Sequence, residues 1–367
     1  MDKGIIIGII ISIAISGLIL IYTNFFDIIK PEIESSMKIA ENTTLGINGK
    51  NNVGKTGEVT DKNMTSDFSE IKNIREPETE FKQVKLSGIA YSPYRKDQSP
   101  LTDLHPSLDE IENDMKLLSS VTDRIRIYGI VGNNQFIPEI AQKYGLKTAV
   151  TLLLTGDETD YDKIEKAVQM ANKHNGIYTI IVENEGLYRD TLSEEQIIKY
   201  VDKTREKLDP TYTVTIAEPV GDWFDHPEIA KHVDYVLIHN YPYFNGVDIS
   251  DAANTVFDEY KNVKKAFGKD VVIGETNWPS SGKTIKLAIP SPENQQKFIS
   301  EFKKIADFNE IKYYIFEAFD EKWKVGEQFD PEGLDVEKHW GLFFENGTIK
   351  KHLKNTILPI QNITTRN

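Results

Sequence analysis

Two short apolar runs in this sequence end in a carboxylate. One is Val272-Ile273-Gly274-Glu275, followed by Thr276-Asn277-Trp278-Pro279, and the other is Ile180-Ile181-Val182-Glu183-Asn184-Glu185. A hydrophobic strand that delivers a Glu at its C-terminal tip is how a parallel barrel presents reactive groups. One such ending reads equally well as a strand whose last residue faces solvent, and the second ending breaks the tie. Two strand-tip carboxyls are the minimum machinery for cleaving a glycosidic bond. In a retaining enzyme they sit about 5–5.5 Å apart, one as nucleophile and the other as acid and then base. Their pKa values must diverge, which a shared cleft favours through mutual repulsion and partial burial. Asn184, beside Glu185, is placed either to bond a sugar hydroxyl next to the reacting carbon or to end the strand as an Asx turn.

The elements needed to position such a pair can be traced from residue 84 onward. Eight strand-like segments run near 85–91, 124–128, 147–153, 178–184, 212–217, 234–239, 271–275 and 312–319. Amphipathic stretches of helical period separate them. Leu108, Ile111, Met115 and Leu118 mark one, and Ile164, Ala167, Val168 and Ala171 a second; Ile197, Ile198 and Val201 mark a third, and Phe257, Val263 and Phe267 a fourth. Alternating strands and helices imply a parallel sheet, and eight such units predict a closed (β/α)8 TIM barrel over residues 84–358. The alternative, an open doubly wound sheet, wants a Gly-rich phosphate turn after its first strand, and Ala90-Tyr91-Ser92-Pro93-Tyr94 is not one. Aromatic residues fall at or just after the strand ends: Tyr91, Tyr94, Tyr128, Trp223, Tyr241, Tyr243, Phe244, Trp278, Phe319, Trp323 and Trp340. Singly, each reads as core or as a ligand platform. As a set in an acidic chain they favour a neutral, extended, polyhydroxylated ligand, because sugar rings present apolar faces that lie flat on aromatic rings.

The 367 residues carry a formal charge of −14, which argues against a nucleic-acid partner. With no cysteine there are no disulfides and no thiolate metal sites, and the seven histidines form no metal-binding motif, so neither metal nor cofactor is expected. Residues 4–22 are almost purely apolar and long enough to span a bilayer as a helix. No small-x-small cleavage site follows them, so residues 1–30 read as an uncleaved single-pass anchor. Lys3 favours a cytoplasmic N-terminus and an extracellular remainder. Residues 31–83 are polar and lack periodicity, as a flexible tether would be. Within them, residues 49–56 match GxxxxGK[ST], but no apolar strand leads in and no helix follows, so the match reads as chance. Residues 359–367 form a tail.

The strand-end segments also resemble a known family. Gly274-Glu275-Thr276-Asn277-Trp278-Pro279-Ser280 resembles the G-E-T-G-W-P-S signature of glycoside hydrolase family 17, the β-1,3-glucanases. Val182-Glu183-Asn184-Glu185-Gly186-Leu187-Tyr188-Arg189 is similar to that family's V-G-N-E segment, and Asn240-Tyr241-Pro242-Tyr243-Phe244 to its N-x-Y-P-Y-F motif. Phe319-Asp320-Glu321-Lys322-Trp323-Lys324 and the later Gly341-Leu342-Phe343 resemble its closing segments. The resemblance implies a retaining mechanism on a β-glucan, with Glu275 as nucleophile, Glu185 as acid/base, and cleft roles for Glu321 and Lys324. Two positions depart from the pattern, each putting a larger residue where the family has Gly. Glu183, two residues from Glu185, is expected to point to the same side as a third carboxylate, and Asn277 is expected to narrow a subsite. The leading expectation is a membrane-anchored, outward-facing β-1,3-glucan hydrolase. A transglycosylase would use the same two Glu residues, and a non-catalytic carbohydrate-binding module on a membrane stalk is the reading from another class.

Overall fold

The computed structural model describes residues 85–358, apart from 96, 103, 174 and 175. The expected anchor, the tether with its phosphate-loop match, and the tail therefore lie outside the described residues. Among the described residues no helix is long and apolar enough to cross a membrane.

Eight parallel strands close into a barrel in sequence order. They are β1 (Ile89–Tyr91), β2 (Arg124–Tyr128), β3 (Lys147–Thr151), β4 (Ile177–Asn184), β5 (Thr213–Pro219), β6 (Val236–His239), β7 (Val271–Thr276) and β8 (Tyr313–Ile315). Closure comes from Ile89 pairing with Ile315. After the strands follow, in order, α1 (Leu108–Leu118), α2 (Ile137–Lys143), α3 (Asp160–Lys173), α4 (Glu194–Lys207), α5 (Val220–Asp225), α6 (Ala252–Phe267), α7 (Pro292–Phe308) and α8 (Lys354–Ile357). Each apolar run predicted as a strand is one. The expected first and last strands are shorter than their runs. The chain enters through a separate bridge between Leu86 and Thr122. Beyond Ile315 comes a cis Phe316–Glu317 peptide; the Phe316 amide donates to the Thr276 carbonyl and the Ala318 amide to the Ala90 carbonyl.

Local signals fix the helices. Ser107 and Glu110 form a capping box at the start of α1, and Ser193 and Gln196 do so for α4. Ser291 caps α7 with Pro292 in its first turn, and Gly268, at φ 62°, ends α6 in the left-handed conformation that Gly adopts without strain. The apolar faces of the helices pack on the outward faces of the strands in one continuous core. Inside the barrel a smaller cluster of Ala149, Ile181, Ala217, Leu237 and Tyr314 fills the middle, with Tyr178 and Tyr235 toward the N-terminal ends of the strands. Above this plug, toward the C-terminal ends, the interior turns polar.

Candidate active site

Arg126, the middle residue of β2, crosses the barrel interior and is fully buried. Its guanidinium donates to Thr151 Oγ1 at 3.0 Å, the Gly274 carbonyl at 3.0 Å and Asn184 Oδ1 at 2.5 Å. It also bonds His239 Nε2 at 2.8 Å and approaches Glu275 Oε1 at 3.3 Å. One side chain thus ties together the tips of β3, β4, β6 and β7. A guanidinium only donates, so Nε2 of His239 accepts and the ring proton sits on Nδ1. Nδ1 then donates to Glu185 Oε1 at 2.7 Å.

Glu275 stands at the tip of β7, 5% exposed. Tyr128 donates to its Oε1 at 2.6 Å and Tyr241 to its Oε2 at 2.7 Å, so both oxygens are held. Glu185 follows β4 directly and adopts φ +56°, the left-handed region a non-Gly residue occupies at a cost. Its Oε2 accepts from Arg189 at 2.6 Å. Burial pushes the Glu185 carboxyl up, but the His239 contact and the Arg189 guanidinium outweigh it and bring it to about 2. Nearest ligand atoms of Glu185, His239 and Glu275 all lie within 4.8 Å of one another. That spacing suits an attacking carboxylate paired with a proton-transferring one and leaves no room for the water of an inverting site. Two guanidiniums already bond this cluster, which supplies the positive charge that a metal would otherwise bring.

The remaining rim residues divide. Phe244 is exposed and touches the Tyr241 ring, which also packs against Phe316 and Trp340. Glu321 accepts from Trp323 Nε1 at 2.9 Å, and Lys324 bridges Glu321 at 2.6 Å and Glu317 at 3.2 Å while lying 4.5 Å from the Phe316 ring centre. Burial raises Glu317 well above the carboxylate range; burial also raises Glu321, but Lys324 outweighs it and holds that group low.

Several aromatic candidates are not on the cleft surface, Trp223, Phe319 and Trp340 among them, each 4% exposed or less. Tyr91 is fully buried and its hydroxyl donates to Asp114 of α1 at 2.9 Å, outside the barrel. Tyr243 and Trp278 are fully buried too, bonding the Lys283 and Ile289 carbonyls. They brace the loops after β6 and β7.

Both departures from the family pattern play roles other than those expected. Asn277 narrows nothing: it is fully buried, and its Nδ2 donates to the Phe316 and Trp340 carbonyls at 2.6 and 2.8 Å. Glu183 does not share a side with Glu185. A bulge between Ile181 and Asn184 breaks the two-residue alternation, so Asn184 turns inward to Arg126 while Glu183 turns toward Glu218 of β5. Arg126, His239 and Arg189 received no role from sequence reasoning. The alternating Arg124-Ile125-Arg126-Ile127-Tyr128 carried the only signal, a charge repeated on the interior face.

A sequence profile of the BtgE/BtgC glycoside hydrolase domain matches residues 88–341. The chain belongs to glycoside hydrolase family 17. Among family relatives, the probable family 17 glucosidase SCW10 of Saccharomyces cerevisiae is 29% identical over 267 residues, 70% of this chain and 64% of the relative. A putative glucan endo-1,3-beta-glucosidase, btgC of Aspergillus niger, is 27% identical over 301 residues, covering 73% of this chain and 43% of the relative. This chain therefore spans less than two thirds of either relative. A family 17 β-1,3-glucanosyltransferase from Rhizomucor miehei, solved with laminaritriose as an active-site mutant, shares the fold at TM-score 0.64 and 24% identity, over 73% of this chain and 96% of that one. An endo-laminarinase from Formosa has the same TM-score of 0.64 at 20% identity, over 74% of this chain and 86% of that one.

Proposed function

We propose that this family 17 protein cleaves β-1,3-glucosidic bonds in glucans by double displacement, with Glu275 as nucleophile and Glu185 as acid/base. The observation that carries the reading is the pair of strand-tip carboxyls with ligand atoms within 4.8 Å, one locked by two tyrosines and the other bound by His239 and Arg189. Tyr128 and Tyr241 fix the Glu275 carboxylate for in-line attack on the anomeric carbon. Asn184, oriented by Arg126, keeps its Nδ2 for the hydroxyl beside that carbon. Arg189 is half-exposed, so its displacement by an entering sugar would favour the protonated Glu185 that must donate. Water or a second sugar hydroxyl then resolves the glycosyl–Glu275 ester. The printed names of the relatives include both glucosidases and a glucanosyltransferase, so both acceptors fall within this reading. Phe244 and the Lys324–Glu321 pair border the cleft as sugar contacts.

The apolar run at residues 4–22 supports an N-terminal membrane anchor, with residues 31–83 as tether and the barrel outside the cell. Resistance of the full-length protein to alkaline carbonate extraction checks the anchor.

The activity test incubates the barrel fragment with a β-1,3-linked glucose oligomer, following product size by chromatography and the first-formed anomer by NMR. Shorter β-anomeric products support hydrolysis, and longer products transfer. A folded protein that turns over neither this oligomer nor other β-glucans contradicts the enzymatic reading and favours a binding module.

A further inference from the structure

Beneath the turn that carries Glu185 lie two further carboxyls with no role in the chemistry above. Glu183 is 1% and Glu218 0% exposed. Glu183 Oε2 accepts from the Gly186 amide at 2.5 Å, and Glu218 accepts from the Leu187 and Tyr188 amides at 2.8 and 3.4 Å. Three successive amides after Glu185 are thus held by two side chains on neighbouring strands. A Cβ on residue 186 would lie 2.7 Å from Glu183 Oε2, so Gly is the residue that permits this approach. The nearby ion pairs, Arg189 with Glu185 and His226 with Glu194, leave both carboxyls out. The other charges facing them repel: Glu185 from the end of β4, and Asp222 from the first turn of α5, with Asp225 beyond it. Glu183 Oε1 is buried without a hydrogen-bond partner. Two buried carboxylates without a cation do not both stay ionised. Burial and then the neighbouring Glu218 raise Glu183 well above the carboxylate range, and burial takes Glu218 up to about 8.

We propose that Glu183 and Glu218 share one proton and act as positioning residues, clamping the 186–188 turn so that Glu185 keeps its left-handed conformation and its aim. Loss of the shared proton sets two like charges against each other, opens the clamp and switches the acid/base off at alkaline pH. This rests on the reading of Glu185 as acid/base.

The test pairs a readout that needs no substrate with one that does. In full-length protein labelled with 15N-glycine, the Gly186 amide resonance should titrate in the alkaline range. In Glu183→Gln, whose amide keeps an oxygen for Gly186 and donates an N–H to Glu218, the midpoint should shift by at least one pH unit. The alkaline limb of kcat on a β-1,3-glucan should move up by at least one pH unit in that variant. Glu183→Ala, with the acceptor gone, should lower kcat at least tenfold with KM nearly unchanged. It should cost far less on a glucoside with an activated leaving group, a difference that a merely structural role would not produce. Glu218→Gln serves if Glu183→Gln fails to fold. A Gly186 amide that does not move between pH 6 and 10, or an alkaline limb unchanged in the Gln variants, overturns the proposal. A titrating amide in a protein inactive on every β-glucan upholds the shared proton and overturns the functional reading instead.

Discussion

Arg126→Met removes the buried cation on which the proposed nucleophile rests. In the native site the guanidinium makes four hydrogen bonds, to Thr151, His239, Gly274 and Asn184, besides its 3.3 Å approach to Glu275. Met is similar in length and replaces none of them. Glu275 is left buried with two tyrosine donors and, at 3.3 Å, His239 Nε2 as its remaining neighbours. Removing one partner of a buried ion pair typically costs about 3–5 kcal/mol. At about 2–4 °C of Tm per kcal/mol for a domain of this size, the melting point should fall by about 6–20 °C. The sign for the chemistry follows from the same change. A nucleophile no longer held in place by the guanidinium is misaimed, so its rate of attack on a glucosyl donor should fall by about 10²-fold. Arg126→Lys should keep more of the stability but still lose Asn184, because one ammonium group cannot reach four separated acceptors. The assays are thermal unfolding and the rate of inactivation by a fluorinated glucosyl donor, both at pH 6. A Tm within 2 °C of wild type together with an unchanged inactivation rate would refute the claim that Arg126 organises this site.

Other substitutions separate the remaining roles. Glu185→Ala should lose about 10²–10⁴-fold on natural glucans, the usual worth of a general acid, but far less on substrates with good leaving groups; equal losses on both would count against its acid role. Arg189→Gln removes a group that, after His239, draws the Glu185 carboxyl down. The Glu185 pKa should therefore rise, and the upper limb of kcat/KM should shift to higher pH; an unmoved limb would show that Arg189 is only a surface ion pair. Asn277→Gly deletes two buried hydrogen bonds to the Phe316 and Trp340 carbonyls. It should cost about 1–3 kcal/mol of stability for each carbonyl left unsatisfied and leave the preferred oligomer length unchanged. A changed length preference would restore Asn277 to the substrate cleft.

The barrel was legible because strands buried on both faces read as continuous apolar runs. Val271–Thr276 and Ile177–Asn184 announce themselves in this way, and their terminal carboxyls come with them. Helices α3 and α4, at 14 residues each, showed their period, whereas α2 at seven and α5 at six are too short to establish one. The internal bracing of the site was not legible. Arg126 and Arg124 are identical in local pattern, and only barrel closure decides that Arg126 lies beneath the mouth. The side of Glu183 was misjudged because strand alternation holds only without a bulge, and the one at β4 leaves no mark in composition. Tyr91, Tyr243 and Trp278 follow strand ends as ligand platforms do, yet close packing with α1 and the loops after β6 and β7 takes them out of solvent.

The most direct test of the central claim is the mass of the intact protein, and of its proteolytic peptides, after incubation with a mechanism-based 2-fluoro-glucosyl donor. A single glycosyl adduct on the peptide carrying Glu275, absent in Glu275→Gln, is the predicted result. An active enzyme that forms no adduct, or one that keeps its adduct after Glu275→Gln, would contradict it.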